Sequence, residues 1–242
     1  MIRLRCIPAL QEETALPPEA VRALSFWSAR PGEILTLLGP DDSAWRGRVS
    51  RLAGKDARVV VFEKLPIPPE SRVHVTVFQA LPQKERFELV LQKLTEIGID
   101  RIVPFVCRRS ITPEQRDLGQ KKSHRWPEVV LRAAKQCRRA LLPELSPVLC
   151  WREVLQETSG ADLRLLLYEK FSGRSLGQLL RKPETERIAL VVGPEGGFTD
   201  DEVDEAGRAG LVPVSLGSRI LRTETAAIIS AAIVQFALGD LG

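Results

Sequence analysis

The stretch Ile188–Ala226 reads IALVVGPEGGFTDDEVDEAGRAGLVPVSLGSRILRTETA, in which two apolar segments each run into a glycine-containing loop. Ile188–Val192 is apolar without alternation, the pattern of a strand covered on both faces. Gly193, Pro194, Glu195, Gly196 and Gly197 follow at once as a glycine-rich loop. Thr199 and Glu202 then form a T-x-x-E capping box, in which the two side chains satisfy backbone N–H groups at the start of a helix. That helix is expected to end near Gly210. Leu211–Leu216 reads as the next strand and Gly217–Arg222 as a second loop. Thr223 opens a helix of small and apolar residues, TETAAIISAAIVQFAL.

A loop with three glycines after a buried strand lets backbone groups approach a ligand closely. A plain tight turn is the competing reading. The loop is not G-x-G-x-x-G and no G-K-[ST] follows, so the dinucleotide and nucleoside-triphosphate motifs are excluded. The second loop, LGSRILRTETA, carries Arg219, Arg222 and Glu224 at a strand end. It lies beside the first loop if the two strands pair. Ligands of open α/β sheets bind at the carboxyl ends of strands.

Working outward, 242 residues are enough for one large or two small domains with real cores. No apolar run approaches the length of a transmembrane helix, and MIRLRCIPAL is too short and interrupted for a signal peptide, so a cytoplasmic protein is expected. Cys6, Cys107, Cys137 and Cys150 form no C-x-x-C, and His74 and His124 are the two histidines, so reduced thiols and no metal site are expected. The net charge of +4 hides a basic middle and an acidic end. Residues 73–150 hold 14 basic against 8 acidic residues, and residues 151–242 hold 10 against 14. A polyanionic partner for the middle segment follows from that asymmetry.

Residues 1–72 read as short strands, Glu33–Leu38, Ala44–Leu52 and Ala57–Leu65, separated by turn signals that include Gly54-Lys55-Asp56. A small barrel or half-barrel fits them. Pro66–Pro69 (PIPP) is a stiff linker. The second domain, 73–242, starts with a strand at His74–Gln79, followed by the turn Leu81–Lys84 and a helix over Glu85–Ile97 capped by Gly98. Strands at Arg101–Cys107 and Leu163–Tyr168 then alternate with helices over His124–Ala140, Trp151–Gln156 and Gly173–Leu180. Ile111–Lys122 and Leu141–Pro147 read as turn-like, and 181–187 as a charged loop. The whole is an α/β sheet, parallel in its main part. The helix from His124 sets Arg132, Lys135 and Arg139 on one side and Val129, Val130, Ala133, Ala134 and Cys137 on another. Between Arg101 and Arg139 eleven basic residues face three acidic ones. A solvated face is the bland reading of such a stripe, and phosphate binding, together with Arg108 and Arg109, is the functional one. Arg3, Arg5, Arg22 and Arg30 are further candidate phosphate contacts or plain surface charges.

GPEGGFT followed by LGSRILRTETA, together with QALPQKERFELVLQKLTEIGIDRIVPF and AAKQCRR upstream, resembles the SPOUT superfamily of RNA methyltransferases. Within it the chain is similar to the RsmE family of 16S ribosomal RNA (uracil-N3) methyltransferases. Lys135 and Arg138 stand where that family's pattern has an acid and a glycine, and AVRALSFWSARPGE lacks the histidine of the family's N-terminal helix. The resemblance implies a PUA-like barrel over 1–72 that binds RNA and a SPOUT domain over 73–242 with a deep C-terminal trefoil knot. It also implies a homodimer packed through the knot, with 16S ribosomal RNA or the small subunit as substrate. S-adenosyl-L-methionine would lie against Leu167, Tyr168, Val192, Gly193, Pro194, Glu195, Gly196, Gly197, Leu216, Gly217, Ile220, Leu221, Arg222 and Thr225. Arg109, Arg219, Arg222 and Glu224 are the candidate catalytic side chains. A SPOUT enzyme acting on another base or a ribose, and an RNA-binding protein without turnover, are the alternatives.

Overall fold

The computed structural model describes residues 2–54, 56–82, 84–117, 125–170, 175–180 and 185–242. The expected turn at Lys55, the helix starts at His124 and Gly173, and most of the charged loop at 181–187 lie outside them. The chain divides into two compact units: Met1–Glu70 with Ala134–Leu142, and Ser71–Ala133 with Pro143–Gly242.

The first unit contains strands β1 (Glu13–Ala15), β2 (Ile34–Leu38), β3 (Ala44–Ala53) and β4 (Asp56–Lys64), with helix α1 (Pro18–Phe26) between β1 and β2. They form a four-stranded antiparallel sheet in the order β1-β4-β3-β2. Proline at the first position of α1 costs no hydrogen bond, and Ala20, Val21 and Leu24 turn its apolar stripe inward. They pack with Leu35, Leu37, Trp45, Val49, Val59 and Val61 from the sheet. β1 is three residues long, too short to show an alternation in the sequence.

The second unit is built on strands β5 (His74–Ala80), β6 (Arg101–Val106), β7 (Glu144–Leu145), β8 (Leu149–Cys150), β9 (Leu163–Leu167), β10 (Arg187–Val192) and β11 (Val212–Val214). Its helices are α2 (Lys84–Glu96), α3 (Pro113–Asp117), α4 (Trp126–Cys137), α5 (Trp151–Glu157), α6 (Leu176–Leu179), α7 (Asp200–Arg208) and α8 (Thr223–Leu238), the end of α4 belonging to the first unit. The sheet runs β11-β9-β10-β5-β6-β7, with β8 also on β6, and each pairing is parallel. Alternate residues of one strand enter different cores. Ile188, Leu190 and Val192 of β10 pack with Val75, Leu91 and Val234, whereas Ala189 and Val191 pack with Phe78, Phe105 and Phe198. Both faces are therefore covered, which explains the unbroken apolar run. α3 and β7 fall in segments expected to be turns.

β10 and β11 do not pair. β9 lies between them, with Val212 opposite Leu165 and Ile188 opposite Leu163. The expected strand Leu211–Leu216 shrinks to three residues at the sheet edge, where Pro213 is tolerated because one side needs no ladder N–H. Three strand ends, rather than two, thus converge. α8 packs against α2, β5 and β10. It buries one side, through Ala227, Ala231, Val234 and Gln235, and leaves Ile229 and Phe236 exposed at 39% and 69%. The small, apolar helix expected from Thr223 is thus covered on one side within a single chain.

Candidate active site

The segments following β9, β10 and β11 enclose a cavity of about 400 Å³, within the range usual for small-ligand sites. The floor is the loop Gly193–Gly197. Gly197 has φ +66°, a left-handed conformation open to glycine, and its N–H bonds the Pro194 carbonyl at 2.9 Å. A Cβ on Gly193 would stand 2.9 Å from the Phe198 ring. The loop is tied down from behind. Thr223 Oγ1 donates to the Gly193 carbonyl at 2.5 Å, and the buried Gln79 at the end of β5 donates to Thr223 Oγ1 at 2.9 Å. Beyond the loop, the Glu202 carboxylate accepts the Thr199 N–H at 2.8 Å and the Arg108 N–H at 2.9 Å, so the capping box also anchors the chain after β6.

Every candidate cofactor position except Thr225 lines this cavity. Of the candidate catalytic residues, Arg219 and Arg222 line it from the exposed second loop. Glu224 does not, although its buried Oε2 has no hydrogen-bond partner among the described residues. Arg109 is outside the cavity wall: its Nη1 donates to the carbonyls of Gly196 (3.0 Å) and Phe198 (3.4 Å), which makes it a brace on the loop's outer side. Tyr168 donates its hydroxyl to Asp200 Oδ1 at 3.0 Å, and burial together with that carboxylate raises the phenol above its ordinary value.

Arg86, Glu169, Ser215 and Thr223 also line the cavity and were not among the candidates. Arg86 reaches in from α2, with Nη1 3.1 Å from Glu195 Oε1 and Nε 4.0 Å from Glu224 Oε1. Its signal in the sequence was its place in the QKERFE segment; helical spacing alone marks only the adjacent core residue Phe87.

The RNA methyltransferase domain family matches residues 69–235. Ribosomal RNA small subunit methyltransferase E of Mycobacterium bovis is 34% identical over 221 residues, covering 88% of this chain and 81% of that one. The chain belongs to the ribosomal RNA small subunit methyltransferase E family. A solved member from Neisseria gonorrhoeae, bound to S-adenosyl methionine, superposes with a TM-score of 0.72 at 30% identity, over 100% of this chain and 98% of its own. A Legionella pneumophila structure with bound cofactor SAM gives 0.70 at 32% identity, over 99% and 98%.

The candidate phosphate contacts of this family member divide by environment. Arg139 is 5% exposed and sits against Glu70, its Nη2 and Nε at 2.7 and 3.0 Å from Oε2, so its guanidinium is held in a structural ion pair. The cause is local. Arg138 takes φ +59° and ends α4, its carbonyl held by Thr36 Oγ1 (2.6 Å) and Arg46 Nη1 (2.8 Å), so Arg139 leaves the helical face. Lys135 is also drawn in, 2.9 Å from Glu33 and donating to the Ser28 carbonyl. Arg3 pairs with Asp42, Arg5 with Glu19, Arg108 with Asp201 and Arg132 with Glu128, all with substantial exposure, and Arg22 is exposed on α1. Among the described residues there is no cluster of three or more metal-ligating side chains, and no helix is long and apolar enough to cross a membrane.

None of the four cysteines forms a disulfide. Burial, and then the nearby Glu202 carboxylate, push the Cys107 thiol up to about 11 from 9.0. The thiolate is the reactive form. At pH 8, iodoacetamide is therefore expected to modify the exposed Cys6 and Cys150 first, with Cys107 slower because it is less exposed and its raised pKa lowers its thiolate fraction. Peptide mass spectrometry over a time course checks this, and equal rates at the three sites would contradict it.

Proposed function

We propose that this protein transfers a methyl group from S-adenosylmethionine to N3 of an unpaired uridine in 16S ribosomal RNA. The observation that carries the reading is the cavity at three converging strand ends, floored by a glycine loop. The residues present fit the cofactor. Gly193, Gly196 and Gly197 leave backbone groups uncovered, Leu167 and Tyr168 give an apolar wall, and Leu216, Ile220 and Leu221 face them from the second loop. When bound, S-adenosylmethionine supplies a methyl group on a sulfonium, open to in-line displacement. The chain must hold the acceptor in line and favour the N3 anion. Arg219 and Arg222 bring positive charge to the cavity for that purpose, and Arg86, paired with Glu195, adds hydrogen-bond donors. Glu224 orients Arg86 from the first turn of α8. N3 of a paired base is hidden, so the target uridine is unpaired or extruded.

Within the same reading, the segment after 73 is a SPOUT domain with its C-terminal part knotted. Support comes from β11 lying beyond β9 while α8 returns to α2 and β5. Residues 1–72 act as a PUA-like RNA-binding unit, supported by the antiparallel sheet and its exposed arginines. The chain works in the cytoplasm as a homodimer through the knot region. The exposed Ile229 and Phe236 of α8 favour that, since apolar side chains on one helix gain by burial against a twin.

Transfer of labelled methyl groups tests the reading. With labelled S-adenosylmethionine and separated ribosomal RNAs, label should enter small-subunit RNA and not large-subunit RNA or transfer RNA. Label in transfer RNA alone would replace the substrate, and label in none would remove the activity.

A further inference from the structure

The cavity wall is mixed in charge. Arg86, Arg219 and Arg222 line it, against the acids Glu169 and Glu195. Glu195 accepts a hydrogen bond from Arg86 at 3.1 Å, so those two charges offset one another. Arg219 and Arg222 remain on the second loop. Such a wall opposes a cationic ligand unless a further carboxylate answers it.

Glu169 is placed to answer it. It follows β9 by two residues, and its carboxylate lies over the first loop: a Cβ on Gly197 would stand 3.1 Å from Oε1 and 3.5 Å from Oε2. Its chain neighbours are engaged elsewhere. The Tyr168 hydroxyl donates to Asp200 Oδ1 at 3.0 Å, and Lys170 Nζ lies 3.7 Å from the same oxygen. Among the described residues no hydrogen bond or ion pair engages the Glu169 carboxylate.

We infer that Glu169 is a specificity-determining residue, whose carboxylate favours the charged sulfonium cofactor over the uncharged-sulfur product, S-adenosylhomocysteine. The inference rests on the methyltransferase reading above. The two ligands share an adenosine and an amino-acid moiety, and differ by one methyl group and one positive charge. A carboxylate on the wall acts on that difference, so the incoming cofactor competes better with the product for the site.

Calorimetric titration of the full chain with three ligands tests it: S-adenosylmethionine, S-adenosylhomocysteine and sinefungin, which carries an ammonium near the sulfonium position. In Glu169→Gln the Kd for S-adenosylmethionine and for sinefungin should each rise about 3- to 10-fold, the size expected of a partly solvated charge pair. The Kd for S-adenosylhomocysteine should stay within about twofold, since the lost charge has no counterpart on its sulfur. Glu169→Asp should restore most of the discrimination. An equal rise for all three ligands would mean a structural role and overturn the inference, as would no change for any. A wild-type chain that binds none of the three overturns the methyltransferase reading itself, and this inference with it.

Discussion

Replacing Gly197 by valine should weaken S-adenosylmethionine binding by about 10- to 100-fold while the fold survives. Gly197 holds φ +66°, where a β-branched residue is a conformational outlier costing about 1–3 kcal/mol. The loop would relieve that strain by leaving its present shape. The added side chain also runs into the Glu169 carboxylate, 3.1 Å from the Cβ. The loop is half-exposed and rests on an intact β10, so circular dichroism and the unfolding midpoint should change little. Gly196→Ala is the control. Its Cβ would meet the Arg109 side chain at 3.3 Å, on the outer side of the loop, and the loss should be smaller. Titration calorimetry on both variants measures the difference. If Gly197→Val binds as the wild type does, the glycine loop is not the floor of the cofactor site.

The largest expected effect on stability is at Glu70. Its carboxylate takes two bonds from the nearly buried Arg139 and the N–H groups of Ala140 and Leu141 at 2.7 and 2.8 Å. Glu70→Ala leaves a buried guanidinium and two backbone donors without this acceptor. Removing one partner of a buried pair costs about 3–5 kcal/mol. Glu70→Gln keeps an acceptor and should cost less. Trp27 and Trp45, both buried in the first unit, report its unfolding in urea by fluorescence. A midpoint unchanged in Glu70→Ala would show that Arg139 is solvated when the acid is gone.

The parts of this molecule written in local pattern could be read from the sequence. The apolar run at 188–192, the Thr199–Glu202 box and the glycine loop depend on neighbours within a few residues, and each appears in the structure at its expected place. The parts set by tertiary contact could not. Arg86 reaches the cavity from a helix more than a hundred residues before Glu195 and Glu224. Glu169 matters because Gly197, from another strand end, lacks the side chain that would exclude it. The basic stripe misled at Arg139, since the spacing rule assumes a continuing helix and the left-handed Arg138 ends it. Strand order is also outside local pattern: β9 separates β10 from β11, and the two loops meet across it. One side of α8 has the composition of a core and is exposed, because composition does not say which apolar faces a chain covers with its own residues.

Nucleoside mass spectrometry tests methylation at uridine N3 most directly. Unmodified 16S ribosomal RNA, free and assembled into small subunits, is incubated with the purified chain and S-adenosylmethionine, then digested and compared with synthetic standards. New 3-methyluridine should appear in at least one of the two substrates, and should be lost when the chain is Gly197→Val. Methyl groups found only on ribose, on a base carbon or on another base would contradict it, as would no new methylated nucleoside from a chain that binds the cofactor.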